Sequence, residues 1–290
     1  MNTLSSHNVA MREFLRSSDK EQLRTLVDLD DIDVVLRKLL SIDEMREAGS
    51  FFTGQALASK VISAFGKPIT LSSVVFDPTC GAGNLLIEAS RKLGIEAKLS
   101  ETMKIWGKIL WGFDIHPHFI EAAKIRLVME AINRGVEQDC ELQEAFELLP
   151  NICVKNAVES EADELESITH VVMNPPFTIW PSPKENYWKE GNVNAAGILF
   201  DKYLRLLPKN CQISAVLPDV LRSGSRYSEF RQFVSESMNA NVKIWGRFNN
   251  KTDVDVFLLS GVINNSVETL QWLNAINEHA SISDYFDVRT

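Results

Sequence analysis

The spacing of apolar residues along the chain changes near residue 70. Between residues 8 and 48, apolar side chains recur at helical spacing, which predicts a small layer of amphipathic helices. One more helix is predicted after Thr53, with Leu57, Val61 and Ile62 on its buried face. Beyond residue 70, short β-branched runs alternate with helical stretches, an order typical of a parallel sheet that is covered on both faces.

Seven strands and four helices are predicted in this second part of the chain. The predicted strands are residues 73–77, 110–114, 152–155, 170–173, 213–217, 242–247 and 254–259. The predicted helices are residues 84–92, 119–132, 196–207 and 226–238. We therefore predict an α/β fold with a doubly wound, mostly parallel sheet of seven strands behind the N-terminal helical layer.

Composition narrows the class of protein. The chain has 290 residues, of which 45% are hydrophobic and 24% are charged, as in globular domains. No apolar run approaches the roughly 20 residues that cross a bilayer, and the N-terminus lacks the order of a secretory signal, so we expect a cytoplasmic protein without membrane contacts. The four cysteines are widely spaced, which indicates reduced thiols and no zinc site.

The distribution of charged residues is relevant to whether the protein binds nucleic acid. The net charge of −9 argues against a nucleic-acid partner, because phosphate contacts need lysine and arginine. However, residues 137–166 hold ten acidic residues and one lysine, whereas residues 202–251 hold nine basic residues and three acidic ones. This basic surplus fits a phosphate-facing edge or, equally, a solvated charged face.

The first stretch that contains candidate site residues is 74–86, VVFDPTCGAGNLL. Its pattern predicts a buried strand followed by a glycine turn and a helix. Gly81 and Gly83 allow a tight turn and close approach of a ligand, and the helix start offers free N–H donors. The stretch lacks the third glycine of dinucleotide sites and the lysine of phosphate loops, which disfavours NAD and ATP. Asp77, at the strand end, can face the cationic amino group of a methionine moiety.

A second predicted strand, at residues 110–114, ends in an acidic side chain, Asp114. In doubly wound sheets, a carboxylate at the tip of the neighbouring strand accepts hydrogen bonds from ribose hydroxyls, which makes Asp114 the predicted ribose ligand. The alternative is that Asp114 caps the helix that follows Pro117.

In the third stretch, residues 170–177, an apolar strand ends and is followed by Asn174, Pro175, Pro176 and Phe177. Two prolines cannot continue a strand or donate N–H groups, so the Asn174 amide and the adjacent carbonyls are expected to point into the crevice as acceptors. A planar aromatic amine is a poor nucleophile, and hydrogen bonds to the Asn174 oxygen and the Pro175 carbonyl would favour a tetrahedral nitrogen. Phe177 would stack on the base, and the four residues form the predicted catalytic centre.

These stretches contain DPTCGAGNLL, GFDI and VVMNPPF, which in this order and spacing resemble the amino-group DNA methyltransferases that modify adenine N-6. The resemblance is strongest to the modification subunits of type I restriction systems and their type II relatives. It implies a class I methyltransferase fold, which is Rossmann-like, with S-adenosylmethionine as the cofactor. It also implies double-stranded DNA with a flipped adenine as the substrate.

The resemblance also assigns cofactor contacts. Residues 49–54, GSFFTG, resemble an element in which an aromatic and a threonine, here Phe52 and Thr53, contact the methionine end, and Gly54 stands where proline is usual. Asn156 falls where the family contacts the cofactor adenine. The implied cofactor-binding residues are Phe52, Thr53, Asp77, Thr79, Cys80, Gly81, Gly83, Asp114, Ile115, Asn156 and Asn174.

The resemblance further suggests how the chain is divided. We expect an N-terminal helical segment at residues 1–48, a methyltransferase catalytic domain at 49–265, and a C-terminal segment at 266–290 that resembles the opening of a target-recognition module. Known members of the family read sequence with such a module or with a separate specificity subunit. We therefore expect a fragment or half of a split enzyme, which needs a specificity subunit or a further recognition domain.

The expected reaction is methyl transfer from S-adenosylmethionine to the exocyclic amine of adenine in DNA, without a metal, in a restriction-modification or related defence system. Asparagine-proline-proline-aromatic motifs also serve enzymes that methylate ribosomal RNA amines or protein glutamine amides. A third interpretation is a non-catalytic subunit that binds the cofactor. The residues alone leave these alternatives open.

Overall fold

The computed structural model describes residues 2–16, 53–184, 187–249, 252–264, 270, 272 and 276–277. The helices predicted between residues 17 and 48, and the aromatic Phe52, lie outside the described residues. Among the described residues, no helix is both long and apolar enough to cross a membrane.

The described residues form ten α-helices and ten strands. The helices are α1 (Asn2–Arg16), α2 (Gln55–Ser63), α3 (Asn84–Ser90), α4 (Leu99–Ile109), α5 (Pro117–Asn133), α6 (Leu142–Glu147), α7 (Ala162–Leu165), α8 (Ala195–Leu206), α9 (Asp219–Ser223) and α10 (Ser228–Ser237). The strands are β1 (Val75–Asp77), β2 (Leu110–Asp114), β3 (Ile152–Val154), β4 (His170–Met173), β5 (Ile179–Pro181), β6 (Asn192–Asn194), β7 (Gln212–Pro218), β8 (Met238–Asn249), β9 (Thr252–Ile263) and β10 (Ile276–Asn277).

The large sheet has the strand order β10-β8-β9-β7-β4-β1-β2-β3, while β5 and β6 form a separate antiparallel hairpin. Strand β9 is antiparallel to both β7 and β8, and the other paired strands of the large sheet are parallel. The predicted seven-stranded, mostly parallel sheet is confirmed, and the short β10 extends it beyond β8. One core cluster includes side chains of α1 to α6 and the other those of α7 to α10, which places helices on both faces.

The register of the central strands determines where the predicted site residues lie. Strand β1 pairs with β2 on one side and with β4 on the other, so these three parallel strands end at the same edge of the sheet. We call this the carboxyl edge. The side chains of β1 and β4 are all buried, because helices cover both faces. Asp77, Asp114 and Asn174 therefore stand at neighbouring strand ends, where the sheet opens to a ligand.

Some predicted boundaries differ from the observed ones. The last predicted helix is interrupted: Ser225–Tyr227 forms a 3-10 turn, α10 ends at Ser237, and Met238 has an extended backbone that opens β8. Strands β8 and β9 are twelve residues each, longer than predicted, and they pair as a hairpin that continues past the end of β7. This extension places the far end of β8 beside the carboxyl edge.

The two ends of the described chain both pack on this domain. Helix α1 buries Met11 and Leu15 against the core, and Asn8 donates a hydrogen bond to the His118 carbonyl of α5 at 3.1 Å. Near the other end, the Trp272 indole packs edge-on against Phe257 with 6.1 Å between ring centroids. Strand β10 then pairs with β8, so these C-terminal residues belong to the same sheet.

Candidate active site

The glycine turn after β1 has a backbone that only glycine adopts readily. Gly81 and Gly83 have φ angles of 52° and 83°, both in the left-handed region. Gly83 is also the N-cap residue of α3, and a Cβ atom placed on it would lie 3.0 Å from the Cβ of Ala123. The turn thus brings the start of α3 close to α5.

Asp77 ends β1 as a buried carboxyl group that is 2% exposed. Its Oδ1 accepts a hydrogen bond from the Thr79 backbone N–H at 3.0 Å. Burial raises the pKa of Asp77 to about 8, and the nearby charge of Asp114 acts in the same direction. The hydroxyl of Thr79 is buried and has no hydrogen-bond partner among the described residues, so a polar ligand group could pair with it.

Asp114, at the end of β2, contacts the glycine turn directly. Its Oδ2 accepts a hydrogen bond from the Gly81 N–H at 3.1 Å, and its Oδ1 accepts one from the His116 N–H at 2.8 Å. His116 itself is the N-cap residue of α5, so Asp114 is not the helix cap that was the alternative prediction. A carboxylate has about four lone-pair sites, so Oδ2 retains capacity for a ligand hydroxyl.

Cys80 is part of the core rather than of the open face of the turn. Its side chain is buried, its backbone N–H donates to the Phe113 carbonyl at 2.8 Å, and burial raises the pKa of its thiol well above the usual value. The Cys80 carbonyl accepts a hydrogen bond from the Gly83 N–H at 2.8 Å, so the described contacts of Cys80 all lie within the protein, and its predicted contact with a cofactor stays a prediction.

Exposed apolar side chains stand next to the strand ends of β2 and β3. Ile115 directly follows β2 and is 58% exposed, and Val158 lies in the 3-10 turn after β3 and is 40% exposed. Asn156 caps this turn, because its Oδ1 accepts a hydrogen bond from the Val158 N–H at 3.2 Å. Ile115 and Val158 could offer apolar surface to a planar base, and Val158 belongs to no motif recognised in the sequence.

The predicted catalytic motif begins directly where β4 ends, with Pro175 buried and Asn174 partly buried. The Asn174 Nδ2 donates a hydrogen bond to the Thr53 hydroxyl, with 2.9 Å between Nδ2 and Oγ1. Because this bond uses the amide nitrogen, the amide oxygen, which is the acceptor of the carboxamide, points away from Thr53.

Phe177, the last residue of the motif, lies against an aromatic ring from a distant strand. The rings of Phe177 and Phe248 meet edge to face, with 5.9 Å between centroids and an angle of 85°. The backbone carbonyl of Phe177 accepts a hydrogen bond from Asn194 Nδ2 at 3.2 Å, which fixes the exit of the motif against β6. Phe248 lies in the extended end of β8 and belongs to no motif recognised in the sequence.

Two further residues connect the motif to the glycine turn. Asn84 Nδ2 donates to the backbone carbonyl of Thr53 at 2.8 Å, and Asn84 Oδ1 accepts from Arg126 Nη1 at 2.6 Å. Arg126 is fully buried, and its Nη1 also donates to the Ala82 carbonyl at 2.5 Å. Neither Asn84 nor Arg126 was predicted as a site residue.

Gly54, which stands where the resembling family has proline, has φ −64° and ψ 165°. Proline holds φ near −65°, so glycine here follows the same backbone path without the proline ring. The backbone at the N-terminus of α2 is therefore compatible with the proline that is usual in the resembling family.

The residues fit a methionine-bearing nucleoside cofactor. The left-handed glycine turn admits a ligand close to the backbone, the Asp77 carboxyl in its ionised form could pair with a cationic amino group, and Asp114 could accept hydrogen bonds from hydroxyl groups. Among the described residues, no group of three or more His, Cys, Asp or Glu side chains could hold a metal ion.

This strand order, with a glycine-rich and acidic carboxyl edge, defines a class I S-adenosylmethionine-dependent methyltransferase fold. The sequence model of the N-6 DNA methylase family matches residues 31–257, and the chain belongs to that family. Its members use S-adenosylmethionine as the methyl donor.

Solved structures of related proteins share the fold. The type IIG restriction endonuclease BpuSI is 18% identical, with a TM-score of 0.52, over 83% of this chain and 28% of its own. The Type IIL restriction-modification enzyme MmeI is 14% identical, with a TM-score of 0.56, over 84% of this chain and 41% of its own. The methyltransferase subunit of a type I restriction-modification system from Streptococcus thermophilus is 16% identical, with a TM-score of 0.51, over 81% and 48%. This chain thus spans less than half the length of each of these proteins.

Proposed function

We propose that this chain transfers a methyl group from S-adenosylmethionine to the exocyclic N-6 amine of adenine in DNA, as the catalytic part of a restriction-modification or related defence system. The observation that carries the proposal is the geometry of Asn174 at the end of β4. Its amide nitrogen is engaged by Thr53, while the carboxamide stands at the same sheet edge as Asp77 and Asp114. The family membership of the chain supports the same reaction.

The acceptors of the motif increase the reactivity of the target amine. Its nitrogen lone pair is delocalised into the base, so the free amine is a weak nucleophile. The Asn174 Oδ1 and the Pro175 carbonyl accept hydrogen bonds from the two N–H groups, which favours a tetrahedral nitrogen with a localised lone pair. Phe177, set edge to face against Phe248, provides an apolar wall for the base. The amine loses its proton after transfer, so a dedicated general base is not required.

The residues at the ends of β1 and β2 and in the turns that follow them would hold the cofactor. S-adenosylmethionine supplies an activated methyl group on its sulfonium. Asp77 would pair with the amino group at the methionine end, and Asp114, which accepts a hydrogen bond from the Gly81 N–H, would accept others from the ribose. Ile115 and Val158 would contact the faces of the cofactor adenine, beside Asn156.

The proposed substrate is duplex DNA, and the adenine is flipped out of the helix to reach the pocket beside Asn174. The MmeI structure mentioned above is of a complex with DNA, which supports this substrate class. Sequence recognition by a specificity subunit or a further recognition domain is part of the proposal. Residues 202–251, with their basic surplus, are the proposed phosphate-facing region. A cytoplasmic location is also part of the proposal.

The experiment that tests the proposal offers labelled S-adenosylmethionine to DNA, RNA and protein pools in parallel. The proposal predicts label in N-6-methyladenine of DNA, which an Asn174→Ala variant fails to incorporate. Label confined to RNA or to glutamine side chains would contradict the DNA assignment. A chain that binds the cofactor and labels none of the pools would contradict catalysis and favour a non-catalytic subunit.

A further inference from the structure

A continuous series of hydrogen bonds joins Asn174 to the glycine turn. Asn174 Nδ2 donates to Thr53 Oγ1 at 2.9 Å, and the Thr53 carbonyl accepts from Asn84 Nδ2 at 2.8 Å. Asn84 Oδ1 and the Ala82 carbonyl both accept from Arg126 Nη1, at 2.6 Å and 2.5 Å. One threonine therefore bonds to the motif through its side chain and to α3 through its backbone.

This series lies in the interior of the protein. Thr53 is 2% exposed, Asn84 is 4% exposed and Arg126 is fully buried. Water has little access to these groups, so the loss of one of these hydrogen bonds would be costly. The position of Thr53 is thus determined by the fold and not by solvent.

The chain that follows Thr53 is also anchored on α3. Gln55, the first residue of α2, donates from Nε2 to Glu88 Oε2 at 2.8 Å. Its Oε1 accepts from Arg91 Nη1 at 2.5 Å, and Arg91 in turn pairs with Glu130 of α5. Thr53 therefore lies between two anchored points: its own carbonyl, which accepts from Asn84, and Gln55, which bonds to Glu88 and Arg91.

We infer that Thr53 is a positioning residue for Asn174, because its hydroxyl accepts from Nδ2 and so reserves Oδ1 for the target amine. This inference rests on the proposed function. A terminal carboxamide has two nearly equivalent orientations about its last torsion, and only one of them presents an acceptor to an amine. The opposite orientation would place the Nδ2 donor against the donors of the target amine.

This role differs from the one that the family resemblance gives to Thr53. A threonine that contacts the methionine end of the cofactor contributes to cofactor affinity, whereas a positioning residue contributes to the rate of transfer from the bound state. In the structure, the Thr53 hydroxyl is bonded to Asn174, across 121 positions of sequence. The two roles therefore predict different effects of the same substitution.

The test compares Thr53→Val, which keeps the shape but removes the hydroxyl, with Thr53→Ser, which keeps the hydroxyl. We expect Thr53→Val to lower the single-turnover rate of DNA methylation on the order of tenfold or more, with the cofactor Kd changed less than about twofold. Thr53→Ser restores most of the rate. The matched control is Thr102→Val, at a buried threonine whose hydroxyl bonds to the Lys98 carbonyl, and it leaves the rate unchanged.

A second measurement needs neither cofactor nor DNA. The side-chain NH2 resonances of Asn174, assigned by their loss in Asn174→Ala, should shift in Thr53→Val and remain near the original position in Thr53→Ser. Thr53→Ala serves as a second hydroxyl-free variant should the valine variant fail to fold.

The inference is overturned by an unchanged transfer rate in Thr53→Val, by a rise in cofactor Kd that matches the fall in rate, or by unshifted Asn174 resonances. A failure of the proposed function would differ from these results. In that case the unsubstituted chain would label no DNA, while the resonances would still report whether Thr53 holds the Asn174 amide.

Discussion

The carboxylate of Asp114 accepts a hydrogen bond from the backbone N–H of Gly81, with 3.1 Å between Oδ2 and N. This bond joins the end of β2 to the turn that follows β1, two neighbouring strands of the sheet. The acidic residue thus holds the cofactor turn in place in addition to its proposed bonds with the ribose. Loss of the carboxylate would remove both effects at once.

Substitution of Asp114 by alanine should chiefly weaken S-adenosylmethionine binding, because both lost contacts belong to the cofactor side of the site. The loss of a charged hydrogen bond corresponds to about 1 to 3 kcal/mol, or roughly a fivefold to 160-fold rise in Kd. Titration calorimetry would measure this change. Asp139→Ala is the control, since Asp139 is an acidic residue that pairs with Ser100 away from the carboxyl edge. Equal cofactor affinity in Asp114→Ala and the unsubstituted chain would reduce Asp114 to a turn residue.

The raised pKa of Asp77 predicts a pH-dependent stability. Burial raises the pKa to about 8 from the ordinary value of 3.8, so between these values the folded protein binds a proton that the unfolded chain has released. The free energy of unfolding therefore falls as the pH rises through this window, at most by about 1.4 kcal/mol per pH unit, and levels off above it.

The matched variant for this prediction is Asp77→Asn, which keeps an acceptor for the Thr79 N–H but cannot ionise. Urea denaturation of both proteins between about pH 5 and 8 isolates the contribution of Asp77, because all other titrating groups are shared. The difference in unfolding free energy between the two should change steadily across the window. A difference that is independent of pH would show that Asp77 ionises normally in the folded protein.

Close packing behind the glycine turn predicts that Gly112 cannot be enlarged without damage. A Cβ on Gly112 would lie 2.7 Å from Leu86 Cδ1 and 3.0 Å from Cys80 Sγ. Gly112→Ala should therefore destabilise the protein by about 1 to 3 kcal/mol and displace the turn, with a loss of cofactor affinity. Gly94→Ala is the control, because no atom lies within 4 Å of its added Cβ. Equal melting temperatures of Gly112→Ala and Gly94→Ala would contradict this description of the packing.

Much of the fold could be predicted from local patterns. The strands at Leu110–Asp114 and His170–Met173 have the predicted bounds, because in each an apolar run stops at a polar residue that must reach the crevice. Helix α4 was missed even though Leu99, Met103 and Trp106 recur at helical spacing and are all buried. The hairpin of β5 and β6 has no comparable local signal, since Pro181 lies within a strand of three residues.

The candidate site was predictable only in part, for a physical reason. Asp77, Asp114 and Asn174 lie at strand ends, and parallel strand ends meet at one edge whatever the sequence distance between them. The partners of these residues depend on tertiary packing instead. The contact of Thr53 with Asn174 spans 121 positions, and that of Arg126 with Ala82 spans 44, so no spacing rule could identify either.

The most direct test of the account is the separation of methyl transfer from cofactor binding in Asn174→Ala. Transfer to adenine should fall to background, because the variant lacks the acceptor for the target amine, while the Kd for S-adenosylmethionine should stay within about threefold of the original. The measurement pairs single-turnover transfer of labelled methyl groups with calorimetric titration of the cofactor. Retained transfer by Asn174→Ala, or a loss of cofactor affinity as large as the loss of transfer, would contradict the account.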